Sequence, residues 1–258
     1  MNVFVIPAYN EETNLPRLLL DLEERPELWT GGHVIIVDDG SSDQTADVAA
    51  AYDGPVPVIL HRQIRNQGAG RAFDRGFRLA LELVGDQDYI ITMESDTTSD
   101  LDAVATMLAV AQEGTDIVLA SHHGEGQLVN VSAHRRLLSR AAASAIRRSA
   151  GRGLDAKTVS SFFRVYRAAA LRDAYERHGE FFIRESGFAC KAEILVKMAR
   201  GGATVHEVPV SLDWSRRDGE SKMRVLPTIG GYARMMARQI AARESAAGHE
   251  PAVAPERV

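Results

Sequence analysis

Five short apolar runs, each followed by a polar or amphipathic stretch, constrain the fold of this chain more than any other feature. The runs are Val3 to Ile6, His33 to Val37, Val56 to Leu60, Tyr89 to Met93 and Asp116 to Ala120. Amphipathic stretches of helical period lie between them, near Leu15 to Glu24, Thr45 to Tyr52, Gly70 to Leu83 and Leu101 to Ala111. Strand-like runs alternating with helices predict βαβ units, hence an α/β protein whose mostly parallel central sheet carries helices on both faces. Further along, the pattern predicts a helix from Ala133 to Ser149, rich in arginine and set between Gly124-Glu125-Gly126 and Gly151-Arg152-Gly153. A helix from Ser186 to Arg200, a strand from Val205 to Leu212 and a last helix from Pro227 to Arg243 complete a single Rossmann-like domain over residues 1–243. Residues 244–258 are rich in Ala, Glu and Pro and have little to bury, so disorder is expected there.

Two of the runs end in acidic clusters. His33 to Val37 closes on Asp38-Asp39-Gly40-Ser41-Ser42-Asp43, and Tyr89 to Met93 closes on Glu94-Ser95-Asp96. In an open α/β sheet, ligands bind outside the carboxyl ends of the strands, so carboxylates at two such ends can converge on one crevice. That arrangement suits a nucleotide and a divalent metal, because Mg²⁺ is typically held by one or two carboxylates together with substrate phosphates. Asp43 taken alone also reads as turn and N-cap chemistry. A third segment, Pro7-Ala8-Tyr9-Asn10-Glu11-Glu12, follows the first run directly and would share the crevice.

With these segments in hand the chain resembles the inverting glycosyltransferases of family 2, which have the GT-A fold, and among them the dolichol-phosphate mannose synthase-like branch. The resemblance rests on motifs in register. They are Pro7-x-Tyr9-Asn10-Glu11, Val37-Asp38-Asp39-Gly40-Ser41, Asn66-x-Gly68-x-Gly70-x-Ala72-x-x-x-Gly76 and Met93-Glu94-x-Asp96. Phe163-Arg164-x-Tyr166, Glu193, Glu207-Val208-Pro209-Val210 and Arg216-x-x-Gly219-Glu220-Ser221-Lys222 follow, so that it covers about Met1 to Arg238.

The resemblance implies transfer of a sugar from a nucleotide-diphosphate sugar (GDP- or UDP-sugar) to a polyprenyl phosphate with inversion, assisted by Mg²⁺ or Mn²⁺. It implies a nucleotide-binding half, 1–120, and an acceptor half, 121–243. Pro7, Tyr9, Glu11, Val37 and Asp39 would line the base and ribose pocket, and Ser95 would join the donor contacts. Asp96 would carry the metal that neutralises the departing diphosphate. Glu94 stands where the family usually has the first Asp of Asp-x-Asp, and its longer side chain leaves metal binding and a ribose contact both open. Arg216 and Lys222 would grip the diphosphate from a closing loop, the first as a planar fork and the second as a point charge. Arg135 and Arg164 could face an anionic acceptor or form ordinary ion pairs. Glu193 falls on the acceptor side. A hydroxyl acceptor would need it as a general base, whereas a phosphate is already ionised and needs none. Ser121-His122-His123 and Phe162 depart from the branch, the former replacing an arginine and the latter a small residue. A soluble hydroxyl acceptor, or a catalytically weak nucleotide-sugar-binding subunit, are the alternatives.

Composition narrows the rest. A net charge of −5 makes no case for nucleic acid. Cys190 is the only cysteine, which precludes an intrachain disulfide, and its apolar helical setting predicts a buried inert thiol. The start of the chain shows no signal peptide, and no stretch approaches the ~20 apolar residues of a spanning helix, so a cytoplasmic protein, peripheral at the membrane face if it meets one, is expected. In the last helix Leu226, Ile229, Ala233, Met236 and Ile240 form an apolar stripe, with Arg224, Arg234 and Arg238 opposite. Such a helix lies in a membrane interface, packs on its own domain or covers a partner subunit, a homodimer among them.

Overall fold

The computed structural model describes residues 1–121, 128–129, 143–149, 154–159, 161–210, 212–213 and 225–247. Strand β1 (Asn2–Ala8) leads to helices α1 (Asn14–Glu23) and α2 (Pro26–Trp29), then β2 (His33–Asp38), α3 (Thr45–Ala50), β3 (Val58–Arg62), α4 (Ala69–Leu83), β4 (Tyr89–Thr92), α5 (Ala103–Gln112) and β5 (Ile117–Ser121). A short strand β6 (Leu128–Val129) and a helical segment α6 (143–149) follow. The rest comprises β7 (Arg164–Arg167), α7 (Ala168–His178), α8 (Cys190–Arg200), β8 (Val205–Pro209), β9 (Leu212–Asp213) and α9 (Val225–Ala247).

Seven strands form one sheet in the order β3-β2-β1-β4-β7-β5-β8, and β6 pairs with β9 apart from it. All ladders of the large sheet are parallel except the two made by β7, which runs antiparallel to both β4 and β5. Because the strands are covered on both faces, they read as continuous apolar runs rather than alternating ones. Val3, Val5, Ile35 and Val37 pack under Phe73 and Phe77 of α4, while Phe4, Ile6, Val34 and Ile36 pack against Leu15, Leu18 and Leu22 of α1 and Met107 of α5. Gly76 lets α4 lie close on the sheet, since a Cβ there would come within 2.3 Å of Val5 Cγ1. Pro7 is tolerated inside a central strand because the β1–β4 ladder ends at the pair Val5–Thr92, where a missing N–H costs nothing on that side.

Sequence patterning missed β7 and α7. The strand has four residues with an arginine at each end, and the buried face of the helix is Ala168, Leu171 and Ala174, too small to mark a stripe. The predicted helix Ala133 to Ser149 is described only over 143–149, where it is helical. The last helix runs beyond Arg243 to Ala247, because Glu244 to Ala247 contains good helix formers and no breaker precedes Gly248. Residues 248–258 lie outside those described.

Most of the apolar stripe of α9 points outward, Met236 excepted. Leu226 is 81% exposed, Ile229 52% and Ile240 48%. The packed face is instead Thr228, Gly231, Met235 and Gln239, with Tyr232 and Met236 partly buried against the core. Arg234 and Arg238 fasten this helix to the body by reaching Glu185, each at 3.0 Å. Arg224 falls outside the described residues. Among the described residues no helix is long and apolar enough to cross a membrane.

Candidate active site

Strands β1, β2 and β3 step outward in one direction, and β4 returns to the other side of β1. This reversal makes a crevice at the carboxyl ends of β1, β2 and β4, since adjacent loops there diverge to opposite faces. The three segments singled out in the sequence leave the sheet at that edge.

The loops after β1 and β2 are stapled to each other. The Asn10 N–H donates to Ser41 Oγ at 2.9 Å, the Ser42 N–H to Asn10 Oδ1 at 2.9 Å, and the Glu11 N–H to Thr45 Oγ1 at 2.7 Å. Asp43 accepts from the Thr45 N–H and hydroxyl and from the Glu12 N–H, so its part is to hold the turn and the start of α3. Glu11 is buried and accepts from Asn14 Nδ2 at 2.6 Å. Pro7 and Val37 face each other across the β1–β2 ladder, and Tyr9 stands half-buried at the exit of β1.

Asp39 spans the crevice floor. Its two oxygens accept from the Gln67 and Gly68 N–H groups, both at 2.8 Å, pinning the segment that starts α4. Gly68 adopts φ +91° there, a backbone region that favours glycine, and a Cβ would sit 2.4 Å from the Ser186 carbonyl oxygen. Burial raises the Asp39 carboxyl above its ordinary value, although the two N–H donors oppose this; the neighbouring Asp38 adds to the rise. Asp38 is fully buried. Its Oδ1 takes the Ser41 N–H at 3.1 Å, while Oδ2 has no hydrogen-bond partner and faces Arg62 Nε at 3.6 Å.

Asp96 and Ser95 are buried at the end of β4, and Glu94 is partly exposed. Asp96 Oδ1 accepts from the Thr98 hydroxyl at 2.7 Å and its N–H at 3.3 Å. Between them Thr97 holds φ +60°, and Asn10 holds φ +54°; these are the two left-handed non-glycine residues among those described. Both lie in the crevice loops, where backbone strain of this kind is typical of sites that must hold a ligand. Among the described residues no group of three or more His, Cys, Asp and Glu side chains forms a metal cage. Glu94 and Asp96 instead offer a hard two-carboxylate set, which fits a Mg²⁺ or Mn²⁺ completed by phosphate oxygens.

Other expected residues are placed elsewhere. Glu193 is buried in α8 and fully engaged: Oε2 accepts from the Arg184 and Glu185 N–H groups at 2.9 and 2.8 Å, and Oε1 from Lys197 Nζ at 2.6 Å. Lys197 also donates to the carbonyls of Phe181 and Phe182. Arg164 is buried and donates to the carbonyl oxygens of Lys191 (2.8 Å) and Val159 (3.2 Å) and to the Tyr166 hydroxyl. Phe162 stacks on Phe73 with ring centroids 4.4 Å apart, which gives a packing reason for its size. Burial pushes the Cys190 thiol up to about 12, in keeping with an inert thiol. Arg216, Lys222, Arg135, His122 and His123 lie outside the described residues.

One residue that pattern reading passed over belongs beside the crevice. Lys191 is buried in the first turn of α8, with its ammonium 4.4 Å from the Phe162 ring centroid and 5.3 Å from that of Phe188. The signal was a charged residue within the apolar run Phe188 to Met198, which helical periodicity alone treats as surface.

A doubly covered, mostly parallel sheet with an acidic crevice at its switch point is a GT-A architecture. The chain belongs to glycosyl transferase family 2, whose family model matches residues 3–174. It is 29% identical over 236 residues to a dolichol-phosphate mannosyltransferase of Pyrococcus furiosus, covering 91% of this chain and 62% of the relative. It is 28% identical over 224 residues to a polyprenol monophosphomannose synthase of Mycolicibacterium smegmatis, covering 85% of this chain and 79% of the relative. The chain thus spans less than two thirds of the first relative's length. Among solved structures it is similar to glucosyl-3-phosphoglycerate synthase of Mycobacterium tuberculosis in complex with Mn²⁺, UDP and glucosyl-3-phosphoglycerate. The TM-score is 0.60 and the identity 18%, covering 94% of this chain and 79% of the other, a likeness of fold.

Proposed function

We propose that this chain transfers a sugar, with inversion, from a nucleoside-diphosphate sugar to a polyprenyl phosphate. The observation that carries the reading is the convergence of the Pro7–Glu11 loop, Asp38-Asp39 and Glu94-Ser95-Asp96 on one crevice at the switch point. Relatives named for dolichol-phosphate and polyprenol monophosphate chemistry support the acceptor class.

In this reading Pro7, Tyr9, Glu11, Val37 and Asp39 border the base and ribose, and Ser95 joins the donor contacts. Asp96, with Glu94 beside it, holds Mg²⁺ or Mn²⁺. When bound, the ion supplies positive charge to the departing diphosphate. An oxygen of the acceptor phosphate attacks the anomeric carbon from the face opposite the diphosphate. The new C–O bond forms as the bond to the diphosphate breaks, and the nucleoside diphosphate leaves with the electron pair. The acceptor oxygen carries no proton at neutral pH, so no base is needed. Glu193 is then a positioning residue that clamps the 184–185 backbone onto α8, as its bonds support. Arg216 and Lys222 grip the diphosphate in the transition state, and Arg216→Ala should lower kcat more than it raises the donor KM.

The outward stripe of α9 supports peripheral contact with a membrane surface, where such an acceptor would be presented. Replacing Leu226, Ile229 and Ile240 with Asp should abolish sedimentation with anionic vesicles while leaving the melting temperature unchanged. Unchanged sedimentation would remove that contact, and a loss of self-association instead would assign the stripe to a second copy.

The direct test supplies GDP-, UDP- and dTDP-sugars to the protein with a polyprenyl phosphate or soluble hydroxyl acceptors, in Mn²⁺ or chelator. Metal-dependent formation of a sugar-phosphate lipid is expected. Transfer to the soluble acceptors alone would overturn the acceptor assignment.

A further inference from the structure

A buried ammonium is expensive unless something balances it. Lys191 is 7% exposed, and its carbonyl, not its ammonium, takes the bond from Arg164. Two aromatic faces supply part of the balance, since the negative face of a ring attracts a cation held over it. The rest comes from the acids after β4, Glu94 before Asp96, which favour its charged form. Phe162, one wall of the clamp, accepts the Thr92 hydroxyl at its carbonyl oxygen at 2.6 Å, and Thr92 is the last residue of β4 before Met93-Glu94. The clamp is therefore bolted to the strand end that carries the acidic pair. Burial lowers the Lys191 pKa from its ordinary value, and of the carboxylates that oppose this Glu94 acts most strongly, with Asp96 adding to it; Cys190 also opposes the shift and Arg164 reinforces it. The other buried lysine of α8, Lys197, spends its charge on Glu193 and two carbonyls. Among the described residues the Lys191 ammonium makes no such bond.

We propose that Lys191 is a charge-setting residue of the donor crevice: its ammonium, clamped between Phe162 and Phe188 beside Glu94 and Asp96, is a protein cation facing the diphosphate next to the metal position. This rests on the assignment of Glu94 and Asp96 to the metal. It carries two consequences of opposite sign. The ammonium repels a divalent ion, so it weakens metal binding to the free protein. It attracts a diphosphate, so it lets the protein bind a nucleoside diphosphate without metal better than the acidic pair alone would allow.

The test uses Lys191→Met, which keeps an unbranched chain between the two rings, with Lys191→Gln as a second neutral variant should the first fold poorly. Mn²⁺ binding to the free protein is measured by electron paramagnetic resonance. Metal-free binding of UDP, GDP and the corresponding nucleosides is measured by calorimetry. Removing one nearby charge should tighten Mn²⁺ by roughly tenfold and weaken the metal-free diphosphate by a similar factor, leaving the nucleoside unaffected. A lysine that merely fills space would lower the melting temperature and move neither affinity. Asp96→Ala, run in parallel, separates the two layers. If it abolishes Mn²⁺ binding while Lys191→Met changes neither affinity, the inference about Lys191 is overturned and the metal assignment stands. If Asp96→Ala leaves Mn²⁺ binding intact, the metal assignment itself is wrong and the inference falls with it.

Discussion

Asp39 in the crevice and Glu207 on β8 each accept two backbone N–H bonds, yet their acidities move in opposite directions. Asp39 takes those of Gln67 and Gly68 and is raised by burial, with Asp38 beside it. Burial also pushes Glu207 upward, but the N–H groups of Lys157 and Thr158, joined by the hydroxyls of Ser121 and Thr158, prevail and leave it lowered. The same contrast runs through the rest of the molecule. Outside the crevice, Glu193 is matched by Lys197, and Glu185 by Arg234 and Arg238. Inside it, Asp38 keeps a buried oxygen without a hydrogen bond, and left-handed Asn10 and Thr97 add backbone strain. Structural acids are balanced by their own chain. In the crevice the balance is looser: Asp38 Oδ2 faces Arg62 at 3.6 Å without a hydrogen bond, and burial raises Asp39 despite its two N–H donors, as is common where a site must receive a ligand.

The contrast breaks most visibly if the two classes of acid exchange behaviour on substitution. Asp96→Ala should cut turnover by a thousandfold or more, on the order of several kcal/mol of transition-state stabilisation, with little change in melting temperature. A protein that instead unfolds while keeping its specific activity would place Asp96 among the structural acids.

Glu193→Gln should do the reverse. Removing one partner of a buried ion pair costs about 3 kcal/mol, which corresponds to a fall of roughly 5–10 °C in Tm, while kcat at a temperature where the variant is folded should change little. A fall of a hundredfold or more in kcat with Tm intact would make it a general base and favour a hydroxyl acceptor.

The smallest effect sharpens the comparison through pH. Because the folded pKa of Glu207 lies below its ordinary value, its stabilisation is present above that value and is lost as pH falls through the folded one. Glu207→Gln should therefore lower Tm by about 2–4 °C at neutral pH, and the gap to the parent should close in acid. A gap that widens in acid would mean the sign is wrong.

Much of this was legible in the sequence, for a physical reason. Parallel strands buried on both faces leave unbroken apolar runs, so β1, β2, β4 and β5 and the acids that follow β2 and β4 stood out. The antiparallel β7 did not, being short and arginine-flanked, nor did α7, whose contact face is largely alanine. The stripe of α9 was visible but its direction was not: periodicity finds an apolar face without saying whether anything covers it, and here the smaller residues Thr228 and Gly231 face the body. Buried charges were the least legible. Glu193 and Lys197 sit four apart as an ordinary surface pair would, and Lys191 owes its burial to Phe162, twenty-nine positions earlier in the chain.

The central claim, that the acids after β4 hold a metal for a nucleoside diphosphate while Glu193 of α8 holds the fold, reduces to one calorimetric comparison. UDP and GDP are titrated in the presence of Mn²⁺ into the parent protein, Asp96→Ala and Glu193→Gln. The account predicts Mn²⁺-enhanced binding of at least one nucleotide by the parent, its loss in Asp96→Ala and its retention in Glu193→Gln. Equal Mn²⁺-dependent binding by the parent and Asp96→Ala would contradict it.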